Sequence, residues 1–196
     1  MNIWFTSDPH WGHRFVAGIR EFDTPEDHDA ALLEAYHEHV KARDSVWWLG
    51  DLTVSSPKHG LEMVAKVPGR HHLIWGNHDN GHPMHRDSYR RQAQYREVFD
   101  SQQPFIRKRI EGREYLLSHF PYAGDHTEVE RYDQYRLRDQ GLPLVHGHTH
   151  STETISFSPS GTLQVHVGVD AWFRPVHVDE IDALFRKHII DIQENE

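Results

Sequence analysis

The sequence predicts an α/β domain with a parallel sheet and crossover helices. First, short apolar runs of strand length alternate with helical stretches through the first half of the chain. Second, polar residues beside glycines follow these runs, at the strand ends where α/β sheets place their chemistry. Third, 196 residues suffice for one full core and are slightly short for two. We therefore expect one domain over residues 1–196.

Composition excludes several classes of function. The chain has no cysteine, which rules out disulfides, thiolate nucleophiles and iron–sulfur clusters and fits a reducing compartment. Its formal charge of -9 disfavours duplex DNA as a partner. No apolar run reaches membrane-span length and no signal-peptide pattern opens the chain, so we expect a cytoplasmic protein with no membrane partner. The 19 histidines favour metal ligation or proton transfer.

The first predicted strand covers residues 2–7, and a polar loop follows it. Asp8 and His10 lie two residues apart in this loop and can both turn towards one cation. In the alternative, Asp8 is not a metal ligand and only caps the segment that follows it. His13 could lie behind the ligands, touch phosphate or sit on the surface.

A helix is predicted from Thr24 as N-cap, with Pro25 at its first position, towards residue 41. We assign its histidines to packing or to the solvated face; they are His28, His37 and His39. The second strand covers residues 46–49 and ends at Gly50. Asp51 follows directly and can bridge two cations, although capping of the next helix is the alternative.

A helix over residues 57–67 and a strand over residues 71–75 lead to the central motif, Asn77-His78-Asp79 after Gly76. Asn77 offers a hard oxygen to a metal, and His78 can carry a proton near neutral pH. Asp79 can fix the tautomer of a nearby imidazole. Alone, such a string also describes an ordinary turn.

The second half of the chain starts with a predicted helix over residues 85–99. Arg86 and Arg90 would share one face there, as a solvated surface or, less favoured, a phosphate contact. A hairpin is predicted around Glu111-Gly112, from strands over residues 105–109 and 114–117. The polar stretch 122–141 is either a mobile insertion or a surface helix.

His119 follows the second strand of that hairpin, at the same strand-end position as Asp8 and Asp51. A further short strand starts at residue 144 and leads to alternating histidines. In extended chain these point to one side, so His148 and His150 can each reach one of two adjacent cations, with His146 in register. A hairpin over residues 154–167 and a helix over residues 179–189 complete the chain.

The strand-end residues, taken in chain order, carry a resemblance. The sequence reads Asp-x-His at Asp8, Gly-Asp at Asp51, Gly-Asn-His-Asp at Asn77, a lone His119 and Gly-His-x-His at His148. This series resembles the motif series of the calcineurin-like metallophosphoesterase superfamily. Each motif is weak alone, whereas the ordered set is specific and spans most of the chain.

The resemblance implies a four-layer α/β/β/α sandwich with a two-metal centre. One metal would take Asp8, His10 and His150, and the other Asn77, His119 and His148. Asp51 would bridge them, His78 would be the catalytic histidine and Asp79 its orienting carboxylate. Mixed imidazole and oxygen ligands suit manganese, which we favour, with iron, zinc, nickel or cobalt as alternatives.

Charge agrees with this assignment, because two divalent cations carry four positive charges and two carboxylates cancel only two, which leaves a local attraction for phosphate. Two metals about 3.5–4 Å apart can generate a hydroxide near neutral pH and clamp the attacking and leaving oxygens. We expect a metal-bridging hydroxide to attack phosphorus while protonated His78 protonates the leaving oxygen.

The expected substrate is a small phosphodiester, such as a 2',3'-cyclic or 3',5'-cyclic nucleotide or an RNA-derived end. The chain shows no obvious capping domain of the kind found in relatives that process DNA ends. A phosphomonoesterase or nucleotide pyrophosphatase is the alternative enzyme. A non-catalytic metal-binding scaffold is the alternative of another class, and the complete set of ligand positions argues against it.

Overall fold

The fold was described from a computed structural model, which describes residues 1–54, 56–110 and 112–193. The strands are β1 Ile3–Thr6, β2 Ser45–Trp48, β3 Arg70–Ile74, β4 Ser101–Gln103, β5 Phe105–Ile110, β6 Arg113–Ser118, β7 Leu144–His146, β8 Ile155–Phe157, β9 Leu163–His166 and β10 Val176–His177. The helices are α1 Arg14–Ile19, α2 Pro25–His39, α3 Pro57–Val64, α4 Ser88–Tyr95, α5 Val169–Trp172 and α6 Val178–Gln193. Within the described residues, no helix is long and apolar enough to span a bilayer.

The first sheet has the order β10-β1-β2-β3-β4. Strands β1 to β4 are parallel, whereas β10 pairs antiparallel with β1. The predicted alternation of strands and helices is therefore confirmed in this half of the chain. The sequence did not predict β4, because its residues Ser-Gln-Gln carry no apolar pattern.

The second sheet has the order β5-β6-β7-β9-β8. Its outer pairs β5–β6 and β8–β9 are antiparallel, and β6, β7 and β9 run parallel. Parallel strands end at one edge of a sheet. The ends of β6, β7 and β9 therefore lie together, as do the ends of β1, β2 and β3 in the first sheet.

Two apolar cores hold the layers together. Alternate residues of the first sheet, such as Trp48 and Leu73, pack against Leu32 of α2 and Val64 of α3. The opposite face packs against the second sheet, where Lys108 lies 4.5 Å from the ring of Trp47. Helix α6 joins this second core and contacts β1, β9 and β10. The predicted α/β/β/α class is confirmed as two sheets with associated helices.

The irregular segment 122–143 lies over the outer face of the second sheet. It contains only a short 3-10 helix, Asp133–Tyr135, among its described residues. The side chain of Gln164 on β9 donates to the carbonyl of Ala123 and accepts from its N–H, at 3.1 Å each. The alternative of a surface helix is therefore wrong for this stretch.

Other differences have local reasons. Helix α4 begins at Ser88, so Arg86 precedes it and does not share a helix face with Arg90. The Nδ1 atom of His13 accepts from the N–H of Val16 at 3.2 Å and so caps α1, which was not predicted. Of the two alternatives for His28, packing and the solvated face, the structure shows packing, because the side chain is buried. Strands β5 and β6 pair as predicted, although Glu111 of their turn lies outside the described residues.

Candidate metal centre

Polar side chains converge where the strands of both sheets end. Asp8 follows β1, Asp51 follows β2 and Asn77 follows β3, all in the first sheet. His119 follows β6 and His148 follows β7 in the second sheet. The seven predicted ligands thus come together across the gap between the two sheets, although they are spread over 143 sequence positions, from Asp8 to His150.

Asp8, His10 and His150 form a first ligand group. The Nε2 atoms of His10 and His150 lie 3.1 Å apart, and each is 4.0 Å from Oδ1 of Asp8. Oδ1 of Asp8 is buried and accepts no hydrogen bond from any described residue. An unsatisfied buried carboxylate oxygen facing two imidazole nitrogens is the donor set expected for a divalent cation.

Asn77, His119 and His148 form a second group. Oδ1 of Asn77 lies 3.0 Å from Nε2 of His119 and 3.0 Å from Nδ1 of His148. Oδ2 of Asp51 lies 3.5 Å from Nε2 of His119 and 3.9 Å from Nε2 of His10. Asp51 therefore stands between the two groups, where one carboxylate can serve two cations.

Hydrogen bonds on the far side of each ring orient three of the histidines. Nδ1 of His119 donates to the carbonyl of Leu49 at 2.7 Å, and Nδ1 of His150 donates to Asp170 at 2.9 Å. Nε2 of His148 donates to Asp125 at 3.2 Å. Since a neutral imidazole carries one N–H, each ring then turns its lone pair towards the centre, as metal ligation requires.

The backbone of the metal centre is strained at five of the predicted ligands. Asp8, His10, Asp51, His148 and His150 all have φ between 48° and 70°. L residues adopt this left-handed region rarely, and such strain concentrates at functional sites. The surrounding structure therefore holds these five side chains where local preference alone would not.

Close backbone approach explains two of the motif glycines. A Cβ atom on Gly76 would collide with the Asp51 side chain, and one on Gly147 would collide with Ser7 and Asp8. Only glycine therefore allows the turns after β3 and β7 to close against the turns after β1 and β2.

Arg20 of the α1 C-terminus ties the first ligand group to the fold. Its guanidinium donates to Asp170 at 2.8 and 3.0 Å and to the carbonyls of Asp8 and Pro9. The side chains of Arg20 and Asp170 are 5% and 9% exposed. These guanidinium hydrogen bonds fix the position of the loop that carries Asp8. They also fix the carboxylate of Asp170, which orients His150.

His78 lies at the open side of the centre, with its side chain 40% exposed and its Nε2 4.0 Å from Oδ2 of Asp51. The backbone N–H of His78 donates to Oδ1 of Asp51 at 2.8 Å. Burial, followed by the charge of His119, lowers the pKa of His78 to about 4. Its exposed position allows contact with a substrate held at the centre.

The orienting role predicted for Asp79 is corrected by the structure. Its carboxylate accepts from the N–H groups of Asp51, Leu52 and Gly76, at 3.1, 3.1 and 2.8 Å. Among the described contacts it makes none with the His78 ring. Burial, followed by the charge of Asp51, raises the pKa of Asp79 to about 7. Asp79 therefore holds the backbone of the two turns that carry Asp51 and Asn77.

The two buried carboxylates of the centre influence each other. Burial and the neighbouring charge of Asp8 raise the pKa of Asp51 well above its usual range. Burial alone would also raise the pKa of Asp8, but His119, His150 and His10 together lower it. Divalent cations would relieve the repulsion between the two carboxylates, so these residues fit a two-metal centre.

A third grouping near the centre, of Asp125, His126 and His148, has another use. Asp125 has a fully buried side chain that already pairs with Arg131 at 2.9 Å and Arg136 at 3.3 Å. Burial opposes the shift, but hydrogen bonds from Arg131 and His148 lower the pKa of Asp125, and the two guanidiniums occupy its oxygens. We therefore assign Asp125 to orienting His148 rather than to a further metal.

Residues 1–172 match the Calcineurin-like phosphoesterase superfamily domain. The chain belongs to this superfamily. With its His and Asp clusters, it is a metal-dependent phosphoesterase and thus a hydrolase. The family implies divalent metal ions, and the first ligand group and the Asp51–His119 pair are where the structure can hold them.

Relatives match over nearly the full length. The chain is 44% identical over 201 residues to the gene 66 protein of Mycobacterium phage D29, covering 98% of both proteins. It is 45% identical over 191 residues to the gene 66 protein of Mycobacterium phage L5, covering 92% of both. The solved structure of the protein AQ665 of Aquifex aeolicus shares the fold, with a TM-score of 0.68, 23% identity and coverage of 93% of this chain and 98% of that chain.

The sequence analysis missed Arg20, Asp125 and Asp170. Two of the three carried a usable signal. Asp170 comes two residues after Gly168, beyond the end of β9, and Asp125 follows Gly124, which repeats the Gly-Asp pattern at Gly50-Asp51. Arg20 carried none, because its partners are 8 to 150 positions away and its own segment is not distinctive.

Proposed function

We propose that this protein is a phosphodiesterase that hydrolyses small phosphodiesters and uses two divalent cations as cofactors. Manganese is the metal that we favour. The observation that carries the proposal is the pair of ligand groups on either side of Asp51, with the half-exposed His78 beside them. Bound cations would supply charge for the phosphate and a water of lowered pKa. Small substrates are cyclic nucleotides or RNA-derived ends, encountered in the cytoplasm, rather than duplex DNA.

The chain's own residues then have separate tasks. Asp8, Asp51 and Asn77 face the centre and would hold the cations together with four histidines, His10, His119, His148 and His150. Arg20, Asp125 and Asp170 keep those ligands in register. His78 stands at the open side, from which a phosphate oxygen can approach. A bound phosphate anion favours the protonated imidazole and so opposes the burial that lowers the pKa of His78, and the protonated ring can give a proton to a departing oxygen.

The preference for diesters over monoesters rests on charge. A diester carries one negative charge, and the residues of the two ligand groups, with Asp51 and His78 beside them, include no arginine or lysine. A monoester dianion commonly calls for such an additional cationic partner. The alternative phosphomonoesterase predicts the reverse order of rates, and a nucleotide pyrophosphatase predicts cleavage of a nucleotide pyrophosphate bond in place of both esters.

Turnover of two chromogenic esters tests the proposal. Protein stripped of metal and refilled with manganese should hydrolyse bis(p-nitrophenyl) phosphate faster than p-nitrophenyl phosphate. His78→Ala should lower kcat by about 10²–10⁴-fold, while His37→Ala, on the exposed face of α2, should leave it unchanged. Faster monoester turnover would favour the alternative, and no metal-dependent turnover of either ester would contradict the proposal.

A further inference from the structure

His13 lies beside the first ligand group and has no role in the function described so far. Its ring centre is 6.2 Å from that of His10, whose ring centre is in turn 5.6 Å from that of His78. After burial and the charge of His119, the charge of His13 also lowers the pKa of His78. The side chain of His13 is partly exposed, as that of His78 is. Both histidines therefore border the open side of the metal centre.

The cap of α1 fixes the tautomer of His13. Its Nδ1 accepts from the N–H of Val16 at 3.2 Å, and a ring nitrogen that accepts a hydrogen bond carries no proton. The single N–H of the neutral ring is therefore on Nε2. Burial, followed by the charge of His150, lowers the pKa of His13 and so favours this neutral ring. The structure thus makes Nε2 of His13 a hydrogen-bond donor.

This donor has no use inside the protein. Among the described residues, the hydrogen bond with Val16 is the only one that the His13 side chain makes. His59, another half-exposed histidine, instead uses its Nε2 in a hydrogen bond to Asp29 at 2.9 Å. The N–H on Nε2 of His13 is therefore available to a ligand that approaches the centre from its open side.

The position of His13 is fixed relative to the first ligand group. Its backbone N–H donates to the carbonyl of His10 at 3.1 Å, and its carbonyl accepts from the N–H of Ala17 at 2.9 Å. The ring of Phe15 meets that of His13 edge to face, with 6.5 Å between the ring centres. A donor held in place by its own backbone and by neighbouring rings loses little conformational freedom when it binds a ligand.

We infer that Nε2 of His13 donates a hydrogen bond to a non-bridging phosphoryl oxygen of the substrate at the metal centre. The inference rests on the proposed phosphodiesterase function and adds to it a residue that binds the substrate. A neutral donor suits a diester, because it contacts the phosphoryl oxygen without the positive charge that a monoester dianion calls for. It also leaves proton transfer to His78.

Two substitutions separate this donor from the cap of α1. His13→Asn keeps a side-chain oxygen that can cap the helix but removes the N–H on Nε2, whereas His13→Ala removes both. In manganese-loaded protein, His13→Asn should weaken the binding of inorganic phosphate, measured by calorimetry, by about 10–100-fold. It should raise the KM for bis(p-nitrophenyl) phosphate in the same proportion, with little change in kcat or Tm. Thr24→Asn, the same exchange at the cap of α2, is the matched control and should change none of these values.

A purely structural role predicts a different pattern. His13→Asn would then bind phosphate as wild type does, and only His13→Ala would lose affinity, together with Tm. That result would overturn the inference. So would a ¹⁵N spectrum of histidine-labelled, metal-free protein in which the neutral His13 ring carries its proton on Nδ1.

Phosphate binding also separates the inference from the proposed function, because it needs no turnover. Weaker phosphate binding by His13→Asn would support the inference even if no ester were hydrolysed. Unchanged phosphate affinity in that variant, or no phosphate binding by manganese-loaded wild type, would overturn it even if diesters were hydrolysed.

Discussion

Three of the candidate ligands depend on a residue behind them that does not face the centre. Asp170 orients His150, Asp125 orients His148 and the Leu49 carbonyl orients His119. Partners of this kind fix the ring and its tautomer, and their loss commonly weakens metal binding by 10–100-fold. The affinity of the centre should therefore respond to substitutions that touch no metal ligand.

Asp125→Asn tests this dependence. The amide keeps the shape of the side chain but removes the charge that Nε2 of His148 and two guanidiniums share. We expect the affinity for manganese, measured by competition with a chelator, to fall by about 10–100-fold. Asp133→Asn changes an aspartate of the same segment that is 79% exposed and should have little effect. Equal losses in both variants would contradict an orienting role for Asp125.

Arg20→Met tests the buried ion pair between Arg20 and Asp170. The variant leaves Asp170 buried with one partner fewer, and breaking such a pair typically costs about 3–5 kcal/mol. Urea denaturation should show this loss in the free energy of unfolding, whereas Arg14→Met, at an exposed position of the same helix, should show almost none. A loss below 1 kcal/mol for Arg20→Met would indicate that the pair does not hold the loop of Asp8.

At the scale of elements, the β8–β9 turn is fastened to segment 122–143 by one carboxylate. Asp139 accepts from the hydroxyls of Ser158, Ser160 and Thr162 and from the N–H of Gly141. These donors outweigh the effect of burial and lower the pKa of Asp139 to about 2. The contact helps to hold the β8–β9 hairpin in place.

Asp139→Asn should reveal the contact through its pH dependence. A carboxyl whose pKa is lower in the folded than in the unfolded state stabilises the fold above about pH 4, and loses that effect as the pH falls through 2. The variant should therefore be about 1 kcal/mol less stable than wild type near pH 7, with the difference shrinking towards pH 2. Urea denaturation at several pH values measures this, and a difference independent of pH would contradict it.

Much of the strand framework was predictable from the sequence, since β1, β2, β3, β7 and β9 each lie in or overlap a short stretch rich in apolar residues. Their ends could be located because glycine, Asp, Asn and His interrupt those runs. Residues at those ends were therefore identified before any contact was known. Elements without such a pattern, β4 and the short helices α1 and α5, were missed, because tertiary contacts rather than local propensity form them.

The parts of the site that could not be predicted are those that depend on pairing across the chain. The sequence places Asp79 beside His78, yet the carboxylate turns to the backbone of Asp51 and Leu52, residues from another strand end. For His28 the sequence leaves packing and the solvated face open, and the structure buries it between Arg20 and Asp29. Periodicity describes one element at a time and cannot report such contacts.

At the scale of the whole molecule, the centre joins two sheets that also pack against each other through the second apolar core. The first sheet supplies Asp8, Asp51 and Asn77, and the second supplies His119 and His148. Cations held by both sheets would bind the folded state and not the unfolded chain, so they would stabilise the fold by about 2.7 kcal/mol at a concentration 100 times the Kd.

Asp51→Asn should separate the cost of the empty centre from the gain on metal binding. The amide removes one of two adjacent buried carboxylates, so the metal-free variant should be at least as stable as metal-free wild type. Manganese should raise the Tm of wild type and hardly change that of the variant, because a shared anionic ligand is gone. Thermal denaturation with and without manganese measures both effects, and equal Tm increases would contradict a bridging role for Asp51.

Anomalous diffraction from crystals grown with manganese tests the central claim most directly. The account predicts two peaks per chain, about 3.5–4 Å apart, one beside Asp8, His10 and His150 and the other beside Asn77, His119 and His148, with Asp51 between them. A single peak, or a peak at Asp125 and His126 with none beside Asp8, would contradict the two-metal centre on which the proposed hydrolysis depends.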